Sequence, residues 1–478
     1  MSDPRPFLVG GEWRTSDDVL EVRFPYTNEV IGRVYQASDR DLEDAILAAE
    51  RGFALTRKLP SHARSRILLN LAEQMERRRD DLVETLILEG GKARKVAAGE
   101  VSRAVETVRV SAEEAKRIHG EIITIDWTEA GEGRQGFVRR VPLGPVLGIA
   151  PFNYPLNLAC HKLAPAIAAG NSFILKPASA TPLSALLLAE MTLDAGFPPE
   201  ALSVVVCRGA KAEKLVADPR IQYFTFTGSS EVGWHLKNVA GRKRVGLELG
   251  GNAAAIVHED ANLDYAARRI AAGGFANAGQ NCIAVQRVLL HRPIYNQALE
   301  LLLDRVSQLV TGDPRDPATD VGPMIDQGAA DDAMAKVSEA VAQGAQALLG
   351  GTVEGRMIAP TVLGDTTPQM RVNREEIFAP VLTVAPYDTF DEAIRLANDT
   401  DYGLQSGLFT QNVNRIMQAF DEIEVGGLQI NDVSTFRVDQ MPYGGVKGSG
   451  MGREGPRYVI EEMTEMKLMV LNLGGGRL

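Results

Sequence analysis

The chain has 478 residues, 45% hydrophobic and 24% charged, with a net charge of −11. That length calls for two or three domains or one large layered unit with a substantial core. The negative balance excludes a nucleic-acid footprint, which needs a basic face, and no run reaches the ~18–20 apolar residues of a membrane span. Three widely spaced cysteines, Cys160, Cys207 and Cys282, make a poor disulfide framework. With six histidines and no CxxC pair, no metal site is expected. The N-terminus has no apolar stretch of signal-peptide length, so a reducing cytoplasm is the expected compartment.

Residues 38 to 120 read as helices. Ser38 and Asp41 have capping-box spacing ahead of LEDAILAAERGFAL, and Gly90-Gly91 suit a left-handed stop to DDLVETLILE. After residue 144 short apolar runs alternate with helical patterns. PVLGIA (145–150), SFILK (172–176), LSVVVC (202–207), QYFTFTG (222–228) and VGLEL (245–249) read as strands with helices between them. This alternation predicts a parallel sheet covered on both faces, with ligands at the carboxyl ends of its strands. A second α/β stretch runs from about 251 to 430. Residues 131–143 and 463–475 read as strands outside either core.

Five short motifs carry candidate chemistry. In GGFANAGQNCIAVQ, Cys282 follows small residues and two amides, which leave room for a substrate and put a backbone N–H beside the sulfur. A reactive thiol needs an electropositive, partly accessible setting; otherwise a free cysteine is a small buried hydrophobe. Cys160 and Cys207 sit in apolar patterns and take the second reading. Glu248 ends an apolar strand before two glycines in LELGGN, either as a surface carboxylate or as a base held over a cleft. FTGSSEVG turns a strand into a helix whose N-terminus suits a phosphate, although an ordinary turn has the same look. Lys176 in FILKPAS caps a strand at the ligand edge, and Asn153 in PFNYP offers a neutral amide donor.

Taken in order, PFNYP, FILKP, FTGS, LELGG, GQNC, EEIFAPV and PYGGVKGSG resemble the aldehyde dehydrogenase superfamily over nearly the whole chain. The resemblance implies that Cys282 attacks the aldehyde carbonyl, that Asn153 and the Cys282 N–H hold the oxyanion, and that Glu248 activates the water that hydrolyses the thioester. It implies NAD or NADP as cofactor, with Lys176 at the adenosine ribose and Gly228, Ser229 and Gly233 near the pyrophosphate. Glu376 and Phe378 would lie at the nicotinamide ribose. Many NAD-preferring members carry glutamate three residues after the lysine; Ser179 stands there here, so acceptance of NADP is expected.

The motifs look most like the branch holding non-phosphorylating glyceraldehyde-3-phosphate and lactaldehyde dehydrogenases. Arg103, His161 and Arg437 are the substrate candidates, with Arg437 in the loop lining the entrance. Asn281 replaces the arginine usual before the nucleophile in phosphate-specific members, which favours a smaller or uncharged hydroxyaldehyde. Succinate-semialdehyde oxidation, CoA-acylating chemistry and cofactor binding without turnover are the rival readings. Glu248 argues against the CoA-acylating one, and the joint presence of Cys282, Glu248 and Asn153 argues against the non-catalytic one. The expected architecture is a Rossmann-like cofactor domain (1–123 and 144–250), an α/β catalytic domain (251–440) and oligomerisation segments (124–143 and 459–478). A small-molecule aldehyde and a homodimer or homotetramer are the expected partners.

Overall fold

A computed structural model describes residues 3–473. The extreme ends of the expected cofactor domain (residues 1 and 2) and of the C-terminal segment (474–478) lie outside the described residues.

Five parallel strands form the heart of the first sheet. Their spatial order is Leu202–Val204, Phe173–Lys176, Val146–Ile149, Tyr223–Thr227 and Arg244–Glu248. Every residue of the three central strands is buried, which is why they read as unbroken apolar runs. Chain order runs outward in both directions from Val146–Ile149, so the switch point falls between this strand and Tyr223–Thr227. A crevice opens at the carboxyl ends of such a pair. The expected strand 202–207 pairs only over Leu202–Val204. Beyond it the Val206 carbonyl accepts from the Ala37 N–H, which draws the chain off the sheet.

Helix Pro155–Ala169 leaves the first central strand and is buried along its whole length, packed beneath Ser61–Arg77 and Arg94–Glu114. Helix Asp39–Thr56 carries the expected Ser38/Asp41 capping box, and Gly91 closes Arg79–Gly90 at φ 64°. The second sheet has seven strands in the order Gln346–Leu349, Thr361–Gly364, Val381–Tyr387, Val285–His291, Ala253–Val257, Gln405–Phe409 and Gly427–Ile430. All pair in parallel except the first. Two large apolar clusters result. One draws on Phe7 to Leu249 together with Val459, Ile460 and Met463; the other lies between Ala255 and Val433.

A separate antiparallel sheet joins Glu121–Ile123, Arg134–Pro142 and Thr464–Asn472. It starts earlier than the expected residue 124. The C-terminal segment expected from 459 begins as helix Pro456–Glu462, whose Val459 and Ile460 serve the first core, and becomes strand only at Thr464. That last strand is at the sheet edge and exposes Met466, Leu468, Met469 and Val470. No helix among the described residues is long and apolar enough to cross a membrane.

Candidate active site

The crevice at the switch point collects most of the sequence candidates. Asn153 follows the first central strand and is buried. Its carbonyl accepts from Lys92 Nζ at 2.5 Å and from Asn277 Nδ2 at 3.2 Å. Its own Nδ2 donates to the Gln280 carbonyl at 3.1 Å, two residues before Cys282. Lys92 and Glu100 form an ion pair at 2.5 Å with both side chains fully buried. The other Glu100 oxygen accepts the N–H groups of Leu156 and Asn157 at 3.0 and 3.1 Å, the first turn of helix Pro155–Ala169. One ion pair therefore fixes both the Asn153 loop and the helix after it.

The cysteine loop has a backbone to match. Asn277, Ala278 and Gly279 are consecutive left-handed residues, at φ 54°, 54° and 68°. Such a run is costly for the alanine. It reverses the chain after helix Leu263–Phe275. The amides hold the reversal. Gln280 Nε2 donates to the carbonyls of Asn277 and Pro323, and its Oε1 accepts from Ile325 N–H at 2.9 Å. A Cβ on Gly279 would lie 2.0 Å from the Ala379 carbonyl oxygen, so this loop touches the segment carrying Glu376 and Phe378.

Cys282 is half-buried, and its Sγ lies 3.1 Å from the Tyr443 hydroxyl. Its backbone N–H has no acceptor among the described residues. Burial pushes the thiol up to about 12, although the Tyr443 hydrogen bond and the Arg437 charge pull the other way. The expected thiolate-favouring setting is thus reversed, because desolvation outweighs the nearby cation. Glu248 behaves alike. Burial, then the Glu454 carboxylate, raises it well above the usual range, and its buried Oε2 has no hydrogen bond. Lys162 Nζ stands between the two elements, bonded to Thr227 Oγ1 at 2.7 Å and to Glu454 Oε1 at 3.4 Å. Burial alone would raise Glu454, but Lys162, His161 and Arg437 bring it down to about 2.

Arg103, His161 and Arg437 converge on one buried cluster. Asp439 Oδ1 accepts from Arg103 Nη2 at 3.2 Å and from His161 Nε2 at 3.0 Å. Arg437 Nη2 donates to Glu454 Oε2 at 2.8 Å, and its guanidinium stacks 3.7 Å above the Tyr443 ring. Arg437, expected in the loop lining the substrate entrance, has a side chain only 5% exposed, held by Glu454 and the Tyr443 ring. Burial, then the Arg437 charge, lowers His161, while the Glu454 and Asp439 carboxylates pull the other way. Arg103 Nε, His161 Nδ1 and Arg437 Nε are buried without partners.

Among the cofactor candidates, Lys176 ends its strand and Gly228 and Ser229 follow theirs at the carboxyl edge of the first sheet. Lys176 ends its strand buried, with no hydrogen bond or ion pair to another described residue, and desolvation lowers its ammonium. A buried unpaired cation at this edge fits a polar or anionic ligand group. Ser229 caps helix Ser230–Val239 without spending its side chain on the cap. Gly228 and Gly233 have no room for a Cβ, which would fall 2.5 Å from the Phe226 ring and 2.3 Å from Leu249. The Gly228 N–H donates to the Glu248 carbonyl at 3.1 Å. Ser179 Oγ makes only a 3.5 Å contact, to the Cys207 carbonyl. Glu376 Oε1 accepts the Gly251 N–H at 2.9 Å, and burial raises its carboxyl to about 7. Phe378, at φ 54°, sets its ring edge-on to Phe152 at 6.0 Å.

Sequence reasoning missed Lys92, Glu100, Lys162, Asp439, Tyr443 and Glu454. One signal was available: Lys162 and His161 stand side by side in a mostly apolar helix.

The parallel sheets, with a half-buried cysteine and a buried carboxylate near their ligand edge, define an α/β protein with a candidate thiol nucleophile. The pattern of the aldehyde dehydrogenase family matches residues 13–469. A 3-sulfolactaldehyde dehydrogenase of Priestia aryabhattai is 46% identical over 466 residues, 97% of each chain. A lactaldehyde dehydrogenase of Methanococcus aeolicus is 35% identical, over 97% of this chain and 99% of its own. Among solved structures, aldehyde dehydrogenase 21 of Physcomitrella patens, in complex with the reaction product succinate, superposes with a TM-score of 0.97. It is 40% identical, over 99% of this chain and 100% of its own. A glyceraldehyde-3-phosphate dehydrogenase of Methanocaldococcus jannaschii complexed with NADP superposes at 0.92 with 36% identity, over 96% and 99%. The chain belongs to the aldehyde dehydrogenase family. It is an oxidoreductase that acts on aldehydes with NAD or NADP.

The raised thiol predicts how the cofactor-free protein reacts. Alkylation of Cys282 by iodoacetamide should accelerate by about tenfold per pH unit from pH 7 to 10, following the thiolate fraction. Tyr443→Phe removes a hydrogen bond that lowers the thiol and should slow alkylation further. A plateau reached below pH 8 would contradict this.

Proposed function

We propose that the protein oxidises a short hydroxyaldehyde bearing an anionic group to its carboxylic acid, with Cys282 as nucleophile. The observation that carries the reading is Tyr443, which contacts the Cys282 sulfur on its hydroxyl and the Arg437 guanidinium on its ring face. A fixed cation thereby stands one ring away from the reacting sulfur. Arg103 and Arg437 each keep an unspent buried N–H, and an anionic group that accepts from it offsets a desolvation cost of about 1–3 kcal/mol. The sequence relatives named for sulfolactaldehyde and lactaldehyde support this class. Asn281, where phosphate-specific members usually carry arginine, weakens the phosphate reading.

In the reaction, the Cys282 S–H gives up its proton to water, Sγ bonds to the carbonyl carbon, and the carbonyl oxygen takes up the charge beside the free Cys282 N–H and Asn153 Nδ2. These donors are fixed beforehand by the Gln280 and Lys92 contacts, so stabilising the charge needs little reorganisation. When bound, the nicotinamide supplies the hydride acceptor. Cys282 then carries a thioester. Glu248, once deprotonated, takes a proton from water, the hydroxide attacks the thioester carbon, and the acid leaves with the thiol restored. Lys176, Ser179, Gly228, Ser229 and Gly233 would hold the adenosine and pyrophosphate side of the cofactor. Glu376 and Phe378 would hold the nicotinamide ribose side. With no carboxylate at Ser179 to repel a 2′-phosphate, NADP is accepted.

We also propose that the edge strand Thr464–Asn472, with its exposed methionines and leucines, pairs against another copy of the chain.

Four measurements test these readings. Purified enzyme should reduce NADP with sulfolactaldehyde or lactaldehyde in preference to propanal, and Cys282→Ala should abolish turnover. Arg103→Met should cut kcat/KM for the anionic aldehyde by about 10–100-fold, as expected for one charge-assisted hydrogen bond, and leave propanal unchanged. Equal losses on both substrates would sink the anion reading. Ser179→Glu should lower kcat/KM for NADP at least about tenfold, through like-charge repulsion at the 2′-phosphate, and spare NAD. In size-exclusion chromatography with light scattering, Leu468→Asp should shift an oligomer toward monomer; a monomeric parent chain rules the pairing out.

A further inference from the structure

The Tyr443 hydroxyl has the Cys282 sulfur, at 3.1 Å, as its hydrogen-bond partner among the described residues. Tyr443 is only 3% exposed, so this hydroxyl has little water to turn to. Nor can the ring swing away. Tyr443 and Glu454 pair in an antiparallel bridge, with the Tyr443 N–H donating to the Glu454 carbonyl at 3.0 Å. The Arg437 guanidinium covers a ring face at 3.7 Å and is itself tied to Glu454 Oε2 at 2.8 Å. Ile283 and Leu404 pack with the ring and with Cys282 in a small apolar cluster. The hydroxyl therefore points at the reacting sulfur and at whatever is bonded to it.

That partner changes character during the reaction. In the resting protein the thiol hydrogen faces Asn281 Oδ1 at 3.9 Å, which leaves a sulfur lone pair to accept from Tyr443. Once Sγ is bonded to the carbonyl carbon it resembles a thioether, a weak acceptor. A buried donor left without a good acceptor costs about 1–3 kcal/mol. The carbonyl oxygen meets the Cys282 N–H and Asn153 Nδ2. The next position within reach of the tyrosine is a substituent on the carbon beside the aldehyde.

We propose that the Tyr443 hydroxyl donates to the hydroxyl on the carbon next to the aldehyde, and so selects a 2-hydroxyaldehyde and one of its enantiomers. This rests on the proposal that the substrate is a hydroxyaldehyde, and it names the residue that reads the hydroxyl. A site built to bond a substrate hydroxyl rejects the analogue lacking it, because the buried donor is then left unpaired. Chirality follows from the same contact. With the carbonyl carbon held by sulfur and the 2-oxygen held by Tyr443, the third substituent has one position in each enantiomer. The fixed surroundings of Ile283, Leu404 and Arg437 make those two positions unequal. A hydroxyl one carbon further out falls beyond the tyrosine.

The test compares Tyr443→Phe with the parent enzyme on propanal, D-lactaldehyde and L-lactaldehyde, following reduction of NADP. Propanal is lactaldehyde without the 2-hydroxyl, and none of the three carries an anionic group, so Arg103 and Arg437 do not enter the comparison. All three aldehydes share whatever loss follows from the altered thiol. Beyond that shared loss, kcat/KM for the preferred lactaldehyde enantiomer should fall by about tenfold relative to propanal, and the two enantiomers should converge. Equal losses on all three aldehydes, with the enantiomer preference kept, would overturn the proposal and leave the hydroxyaldehyde reading standing. A parent enzyme that does not prefer lactaldehyde to propanal would overturn both. The parent also gives a check that needs no variant to fold. It should use 3-hydroxypropanal no better than propanal; parity of 3-hydroxypropanal with lactaldehyde would overturn the assignment to Tyr443.

Discussion

The site depends on the buried Lys92–Glu100 pair. Neither side chain touches water. Burial acts first on Lys92, lowering its ammonium, and the Glu100 charge opposes that. Breaking such a pair strands a charge in the interior, which costs about 3–5 kcal/mol. The pair persists because each member makes further bonds. Lys92 reaches the Asn153 carbonyl and lies 3.7 Å from the Tyr154 ring centroid; Glu100 closes the first turn of the buried helix. The ion pair therefore sets the position of one strand end, one helix start and one amide donor together.

A second layer of charge lies behind the sulfur and the carboxylate. Glu454 joins Lys162 on one side to Arg437 on the other, and Asp439 joins His161 to Arg103. Cys282 and Glu248 are both held in their neutral forms in this surrounding. That is economical for a protein waiting for two ligands. A permanent thiolate invites oxidation, and a permanent carboxylate beside Glu454 would add like-charge repulsion.

The strands and helices were largely legible in the sequence because burial on both faces writes itself as apolar runs. Val146–Ile149, Tyr223–Thr227 and Arg244–Glu248 fell where such runs stood. Glu248, Cys282 and Asn153 were legible as chemistry, because glycines and amides crowd around them. The supporting residues were not. Lys92, Glu100 and Glu454 lie on helical or loop segments where a charge normally faces solvent. Only convergence in three dimensions buries them. The same limit hid the burial of Arg437 and the helix Pro456–Glu462, whose apolar residues gave no sign of which core they serve. The exposed strand Thr464–Asn472 read correctly as strand, yet its open edge is a property of the sheet and not of its residues.

Ala278 shows what this protein trades for its geometry. A left-handed alanine between Asn277 and Gly279 carries about 1–2 kcal/mol of conformational strain. Glycine would relieve it within one codon change, but would also free the unfolded chain and slacken the reversal before the cysteine. Alanine makes this loop less stable and stiffer than glycine would. Selection for thermal tolerance would reach this residue early, and its first gain there would come at the expense of sulfur placement.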